Sequence, residues 1–169
     1  MDQRSEKFEF TPENLEEARK HISHYPDDRK SSAVMPLLHL VQSQTGGFIP
    51  QSAIGYIADL LGMRPVHVRE VVEFYSMYNT APVGKYLVQV CRTTPCWLRG
   101  GSDILNTCKK ALKIDVDEST KDNLFTLREV ECLGACVNAP VVQINEDYYE
   151  DLDSEKMGEI LHKLKHSEN

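Results

Sequence analysis

The stretch KYLVQVCRTTPCW, residues 85–97, starts as a β-strand and runs into two thiols. KYLVQV has the β-branched and aromatic content of a strand, bounded upstream by Pro82 and Gly84. Cys91 and Cys96 then stand with four residues between them and Pro95 pressed against the second. That pair is wider than the C-x-x-C of a dithiol oxidoreductase and has no histidine nearby. A second strand-like run, LFTLREV at 124–130, leads in the same way into Cys132 and Cys136. Between the two, GSDILNTCKKALKI at 101–114 carries Ile104, Cys108, Ala111 and Leu112 on one helical face. If the strands are parallel and joined by the usual right-handed helical crossover, their carboxyl ends share one edge of the sheet. Loops beyond strand ends are where open α/β sheets hold ligands, so the two cysteine pairs then converge.

Downstream of this unit, VVQI at 141–144, a turn around Asn145-Glu146-Asp147 and the run YYEDL read as a hairpin. Asp153 caps a last helix with Met157, Ile160, Leu161 and Leu164 at core spacing. Upstream, residues 78–84 mark a boundary before which the hydrophobic period is helical. Thr11-Pro12 opens a helix through Leu15, Ala18 and Ile22 that Tyr25-Pro26 stops. Val34, Leu37, Leu38 and Val41 form a second, with Pro36 tolerated in its first turn and Gly46-Gly47 at its end. Ile54, Ile57, Ala58 and Leu61 form a third that stops at Gly62, and Pro65 opens a fourth through Val68, Val71, Val72 and Tyr75. The expected class is α+β / α/β, with a small helical bundle over residues 1–80 and a cysteine-bearing domain over 81–169.

Composition narrows the function. The 169 residues are 41% hydrophobic and 27% charged, and no apolar run approaches the roughly 18 residues of a membrane span. The start, MDQRSEKFEF, lacks the apolar segment of a signal peptide and the Arg-rich bias of a transit peptide, so an intracellular protein without direct membrane insertion is expected. Net charge is −7, and the residues on either side of Pro82 are each net acidic. An acidic surface repels phosphate, which argues against a nucleic-acid partner. Five cysteines in a reducing compartment point to metal or redox chemistry rather than to structural bridges.

Four thiols in two pairs admit zinc, a dithiol relay or a binuclear iron–sulfur cluster. Zinc sites commonly have a C-x-x-C arm, and a relay wants the same spacing; neither pair has it. A [2Fe–2S] cluster takes two thiolates on each iron, so two separate pairs suit it. The C-x₄-C-x₂-C grouping of plant-type ferredoxins is absent, and none of the six histidines lies near the pairs, which counts against a Rieske centre. Gly134 lets the backbone turn N–H groups toward the cluster, or simply makes a turn. Thr93, Thr94 and Trp97 are candidates to shield or hydrogen-bond it, with plain packing the commoner role for an aromatic. Cys108, on an apolar face, reads as an inert core thiol. His21, His24, His39, His67, His162 and His166 are scattered over helices and receive no role.

CRTTPC, TLREVECLGACVNAPVVQINEDYYEDL, SAVMPLLHLVQSQTGGFIP and VREVVEFYSMYNT together give the chain a close resemblance to one family. It resembles the binuclear-cluster flavoprotein-fragment subunits, the twenty-four-kilodalton subunits, of respiratory NADH:quinone oxidoreductase (complex I), over nearly its whole length. The resemblance implies a thioredoxin-like C-terminal domain with one [2Fe–2S] cluster, whose four ligands match Cys91, Cys96, Cys132 and Cys136. It also implies that the N-terminal bundle docks on a partner subunit that carries FMN, binds NADH and holds a further iron–sulfur cluster, and that the chain is cytoplasmic, held peripherally on the cytoplasmic face of the inner membrane through the complex, or on the matrix side in a mitochondrion. In that family the cluster lies near the flavin and exchanges single electrons with it.

A rival reading starts from AIGYIADLLGMRPVHVREVVEFY at 53–75, which has helix-turn-helix spacing and would suggest a redox-sensing transcription factor. Glu70 and Glu73 on its second helix oppose phosphate binding. No G-x-G-x-x-G loop and no catalytic triad appear, so a complete active site on this chain is not expected.

Overall fold

The structure, a computed structural model, describes residues 7–166. Most of the N-terminal stretch read for a targeting segment lies outside the described residues. The chain divides between Pro82 and Val83 into two compact units, each with its own core.

The first unit is helical. It holds α1 (Pro12–Ser23), a 3₁₀ segment (Asp27–Ala33), α2 (Val34–Gln44), α3 (Gln51–Leu61) and α4 (Pro65–Phe74). Thr11 caps α1 by accepting the Asn14 N–H at 3.3 Å. Pro36 sits in the first turn of α2, where its missing N–H breaks no intrahelical bond. The 3₁₀ segment has no apolar periodicity, which is why the pattern of DDRKSSA gave no sign of it. Leu37, Leu38, Val41, Ile57 and Val68 are fully buried at the centre. Phe8, Phe10 and Tyr56 meet edge to face with centroids 5.4–5.5 Å apart and fix the segment before α1 to α3.

The second unit is a four-stranded sheet with helices. Its elements are β1 (Tyr86–Cys91), α5 (Thr94–Leu98), α6 (Gly101–Leu112), β2 (Phe125–Val130), β3 (Val142–Ile144), β4 (Asp147–Tyr149) and α7 (Ser154–His166). Strand order is β2-β1-β3-β4. β1 and β2 are parallel, as the strand-helix-strand order requires, and pair from Tyr86↔Phe125 to Cys91↔Val130. β3 runs antiparallel to β1 and forms a hairpin with β4. Val88, Val90, Phe125, Leu127, Val142 and Ile144 of the sheet pack against Ile104 and Cys108 of α6 and Met157 and Leu161 of α7. That single apolar layer explains why both helices carry their hydrophobic residues at core spacing.

Strand and helix ends shift by a residue or two from the sequence reading, and three differences have a local cause or consequence. The hairpin turn is tighter: Asn145 takes a left-handed conformation, φ 54°, and Asp147 already pairs with Ile144. β4 then ends at Tyr149, so the rest of YYEDL is not strand. α6 stops at Leu112 because Lys113 turns left-handed, φ 58°. Residues 117–120 lie along β2, with Asp117 N–H to Leu127 O at 2.8 Å and Leu127 N–H to Glu118 O at 3.0 Å, and cover part of an edge that would otherwise be open.

Candidate metal centre

The register of β1 and β2 decides where the thiols go. Cys91 and Val130 are the last rung of the parallel ladder, and Arg92 N–H extends it to Val130 O at 3.0 Å. Both chains therefore leave the sheet at one edge. Beyond Cys91 the chain turns at once into α5, with Pro95 in its first turn, and this short helix turns Cys96 inward. Beyond Val130 the chain makes an open loop through Cys132 to Cys136, which begins a 3₁₀ turn over Cys136–Asn138.

The two loops share a small core of their own. Cys91 and Cys96, 2% and 1% exposed, pack with buried Ala139 and Val141, and Leu133 and Ala135 close over them. Cys132 and Cys136 stand at the surface with their sulfurs 3.5 Å apart. Tyr148 of β4 braces this loop by donating to Leu133 O at 3.0 Å, and Asp151 N–H donates to Asn138 O at 2.7 Å. Gly134, φ 85°, occupies a left-handed conformation that side chains disfavour, and in it the Gly134 N–H reaches Cys132 Sγ at 3.4 Å. Gly101 lies where a Cβ would come within 2.9 Å of Cys96 O and 3.3 Å of Cys91 O, so α6 approaches the first loop only because that side chain is missing.

The electrostatics cross between the loops. Burial pushes the Cys91 thiol up, but hydrogen bonds from the Thr93 hydroxyl, the Leu133 and Thr93 N–H groups and Cys96 outweigh it and leave the pKa lowered. Burial and the neighbouring Cys91 push Cys96 up to about 11, against the Val141 N–H. Cys132 is lowered by the Gly134 N–H, by Cys136 and by the Thr93 hydroxyl. Cys136 is raised, chiefly by its hydrogen bond with Cys132, and further by the charges of Cys132 and Cys91. Each pair thus feels the other.

The four predicted cysteines fall into two pairs, Cys91 with Cys96 in a small core and Cys132 with Cys136 on the second loop, while Cys108 is fully buried in the sheet-helix core. The histidines are placed on helices or at their ends, and Trp97 is 61% exposed rather than packed. Among the described residues, no three His, Cys, Asp or Glu side chains gather closely enough to hold a single ion. The thiols are arranged as two pairs instead, one buried and one exposed, with the Gly134 N–H donating to Cys132 Sγ and the Leu133 and Val141 N–H groups acting on Cys91 and Cys96. An all-sulfur donor set split two and two, with N–H donors around it, fits a [2Fe–2S] cluster. Sequence reasoning missed α5 and the Leu133 and Val141 donors. A signal for α5 was present, since Thr-Thr-Pro repeats the cap-and-proline signature read at Thr11-Pro12.

A thioredoxin-like fold with cysteine pairs on the loops after two parallel strands defines a class of small iron–sulfur electron carrier, and the chain belongs to it: residues 18–165 match the thioredoxin-like [2Fe-2S] ferredoxin family. Within that family it is similar to an NADH-quinone oxidoreductase subunit from Rickettsia conorii, 55% identical over 157 residues that span 93% of this chain and 94% of the relative. It is also similar to the mitochondrial NADH dehydrogenase [ubiquinone] flavoprotein 2 of Dictyostelium discoideum, 49% identical over 95% of this chain and 65% of the relative. Among solved structures, an NAD+-reducing [NiFe]-hydrogenase in its H2-reduced state shares the fold over 79% of this chain and 22% of that chain, with a TM-score of 0.68 at 18% identity.

Proposed function

We propose that this chain is the [2Fe–2S] electron-transfer subunit of an NADH–quinone oxidoreductase, with Cys91 and Cys96 holding one iron and Cys132 and Cys136 the other. The observation that carries the reading is the meeting of the two cysteine loops at one sheet edge, where Cys91 and Cys96 pack directly against Ala139 and Val141 of the second loop. When bound, such a cluster accepts and releases one electron at a time.

The chain's own residues give the site a direction. Cys91, Cys96, Ala139 and Val141 form a buried floor that keeps water from one side. Cys132, Cys136 and Val137, the last 96% exposed, form a rim that would put the exposed side of a bound cluster at the surface. The Gly134 N–H donates to Cys132 Sγ, and the Leu133 and Val141 N–H groups act on Cys91 and Cys96; with a cluster bound they would stabilise the negative charge that reduction adds, against the chain's net charge of −7.

The electron partner in this reading is the FMN- and NADH-binding subunit of the same complex, with a neighbouring iron–sulfur subunit beyond it. Residues 1–80 form the docking bundle and 81–169 the cluster domain. Among the described residues no helix is long and apolar enough to cross a membrane, and the proposed membrane association is peripheral, through the complex. Metal analysis of protein purified without oxygen tests the reading. Iron and acid-labile sulfide at about two each per chain, with a rhombic EPR signal after dithionite reduction, are expected. Zinc in place of iron would overturn it.

A further inference from the structure

We infer that Thr93 tunes the potential of this site: its hydroxyl donates a hydrogen bond to the Cys91 sulfur and lies where the two cysteine loops meet. The inference rests on the [2Fe–2S] reading above. Thr93 Oγ1 is 3.3 Å from Cys91 Sγ. A metal-bound thiolate has lost its proton and only accepts, so with metal in place the hydroxyl must be the donor.

A second observation shows that the hydroxyl is committed to this task. Thr93 is the N-cap of α5, with φ −70° and ψ 164°, and a threonine there ordinarily turns its oxygen back to accept a helix N–H. In α5 it makes no such bond. The backbone of Thr93 still serves the helix, its carbonyl accepting the Trp97 N–H at 2.9 Å, while the side chain faces the sulfur. Thr93 is half-buried, which limits competition from water. The N–H donors to the cysteine sulfurs named above, those of Leu133, Gly134, Val141 and Thr93 itself, belong to the backbone and are kept when a side chain is replaced. The Thr93 hydroxyl is a donor that a substitution can remove. A donor to a ligating sulfur stabilises the added electron and raises the potential.

Titrating the EPR signal of the reduced full chain against potential tests this. The T93V variant keeps the shape and removes the donor; it should retain iron and sulfide and show reduction disfavoured about tenfold, which is about 59 mV lower for a one-electron couple. T93S, which keeps a hydroxyl, should lie close to the unsubstituted chain. A T93V potential equal to that of the unsubstituted chain, or a T93S potential displaced as far as T93V, would overturn the inference. If T93V loses its iron, T93A and T93S decide the matter in the same way: a shift in T93A restored in T93S supports the role, and equal shifts in both refute it. Absence of iron and sulfide from the unsubstituted chain would instead remove the cluster reading itself.

Discussion

Cys108 and Cys132 are both free thiols, yet one is sealed in the core against α7 and the sheet and the other stands on a surface loop facing Cys136. Replacing Cys132 by serine should therefore weaken or abolish iron binding, while Cys108→Ser should leave iron content unchanged and cost about 1–3 kcal/mol for a hydroxyl in an apolar site. Iron analysis and urea unfolding of the two variants check this, and loss of iron from Cys108→Ser alone would show the ligand set to be wrong. Burial also pushes the Cys108 thiol from its ordinary 9.0 to about 12. A thiol whose pKa is raised in the folded state contributes stability below pH 9 that is lost as pH climbs toward 12, because the unfolded chain ionises first. The melting temperature of the unsubstituted chain should thus fall more steeply above pH 9 than that of Cys108→Ala. Parallel curves would mean that the thiol titrates alike in both states.

At the scale of elements, two glycines make a matched pair. Gly101 opens α6 against the backbone of the first cysteine loop, and a methyl group there meets two carbonyl groups that cannot rotate away. Gly101→Ala should cost about 1–3 kcal/mol by overpacking and speed the loss of iron to a chelator. Gly158, inside α7, has open space around its Cβ position, so Gly158→Ala should stabilise by about 0.5–1 kcal/mol through helix propensity. Denaturant midpoints of opposite sign are the expected result; destabilisation in both would place the fault in helix packing in general. The strands, α6, α7 and the four thiols were legible in the sequence because each rests on a local pattern: apolar spacing, a strand running into cysteine, a capping residue. The parallel pairing followed from connection rules, and the thioredoxin-like assignment from resemblance. What stayed hidden depends on tertiary contact. Leu133 and Val141 are ordinary apolar residues by type, and nothing in their identity announces that their N–H groups act on Cys91 and Cys96. α5 spans only Thr94–Leu98, too few residues for a period to show.

At the scale of the whole molecule, the buried cores respect the division at Pro82–Val83. Every residue of the helical core lies between Phe8 and Tyr78, and every residue of the sheet-helix and cysteine-loop cores lies beyond Gly84. Thr80, Ala81 and Pro82 between them are exposed. All four proposed ligands, the N–H donors and Thr93 belong to the second unit. A chain starting at Val83 should therefore fold, bind iron and sulfide, and give the same EPR line shape as the full chain. It should be less stable than a longer domain, because a unit of this size buries a smaller share of its surface. Measuring iron content and the reduced EPR spectrum of this fragment beside the full chain checks the point. Matching spectra would confine the role of residues 1–80 to docking, whereas a fragment that folds by circular dichroism yet loses its iron would show that the helical unit guards the site, and would move the functional boundary upstream of the structural one.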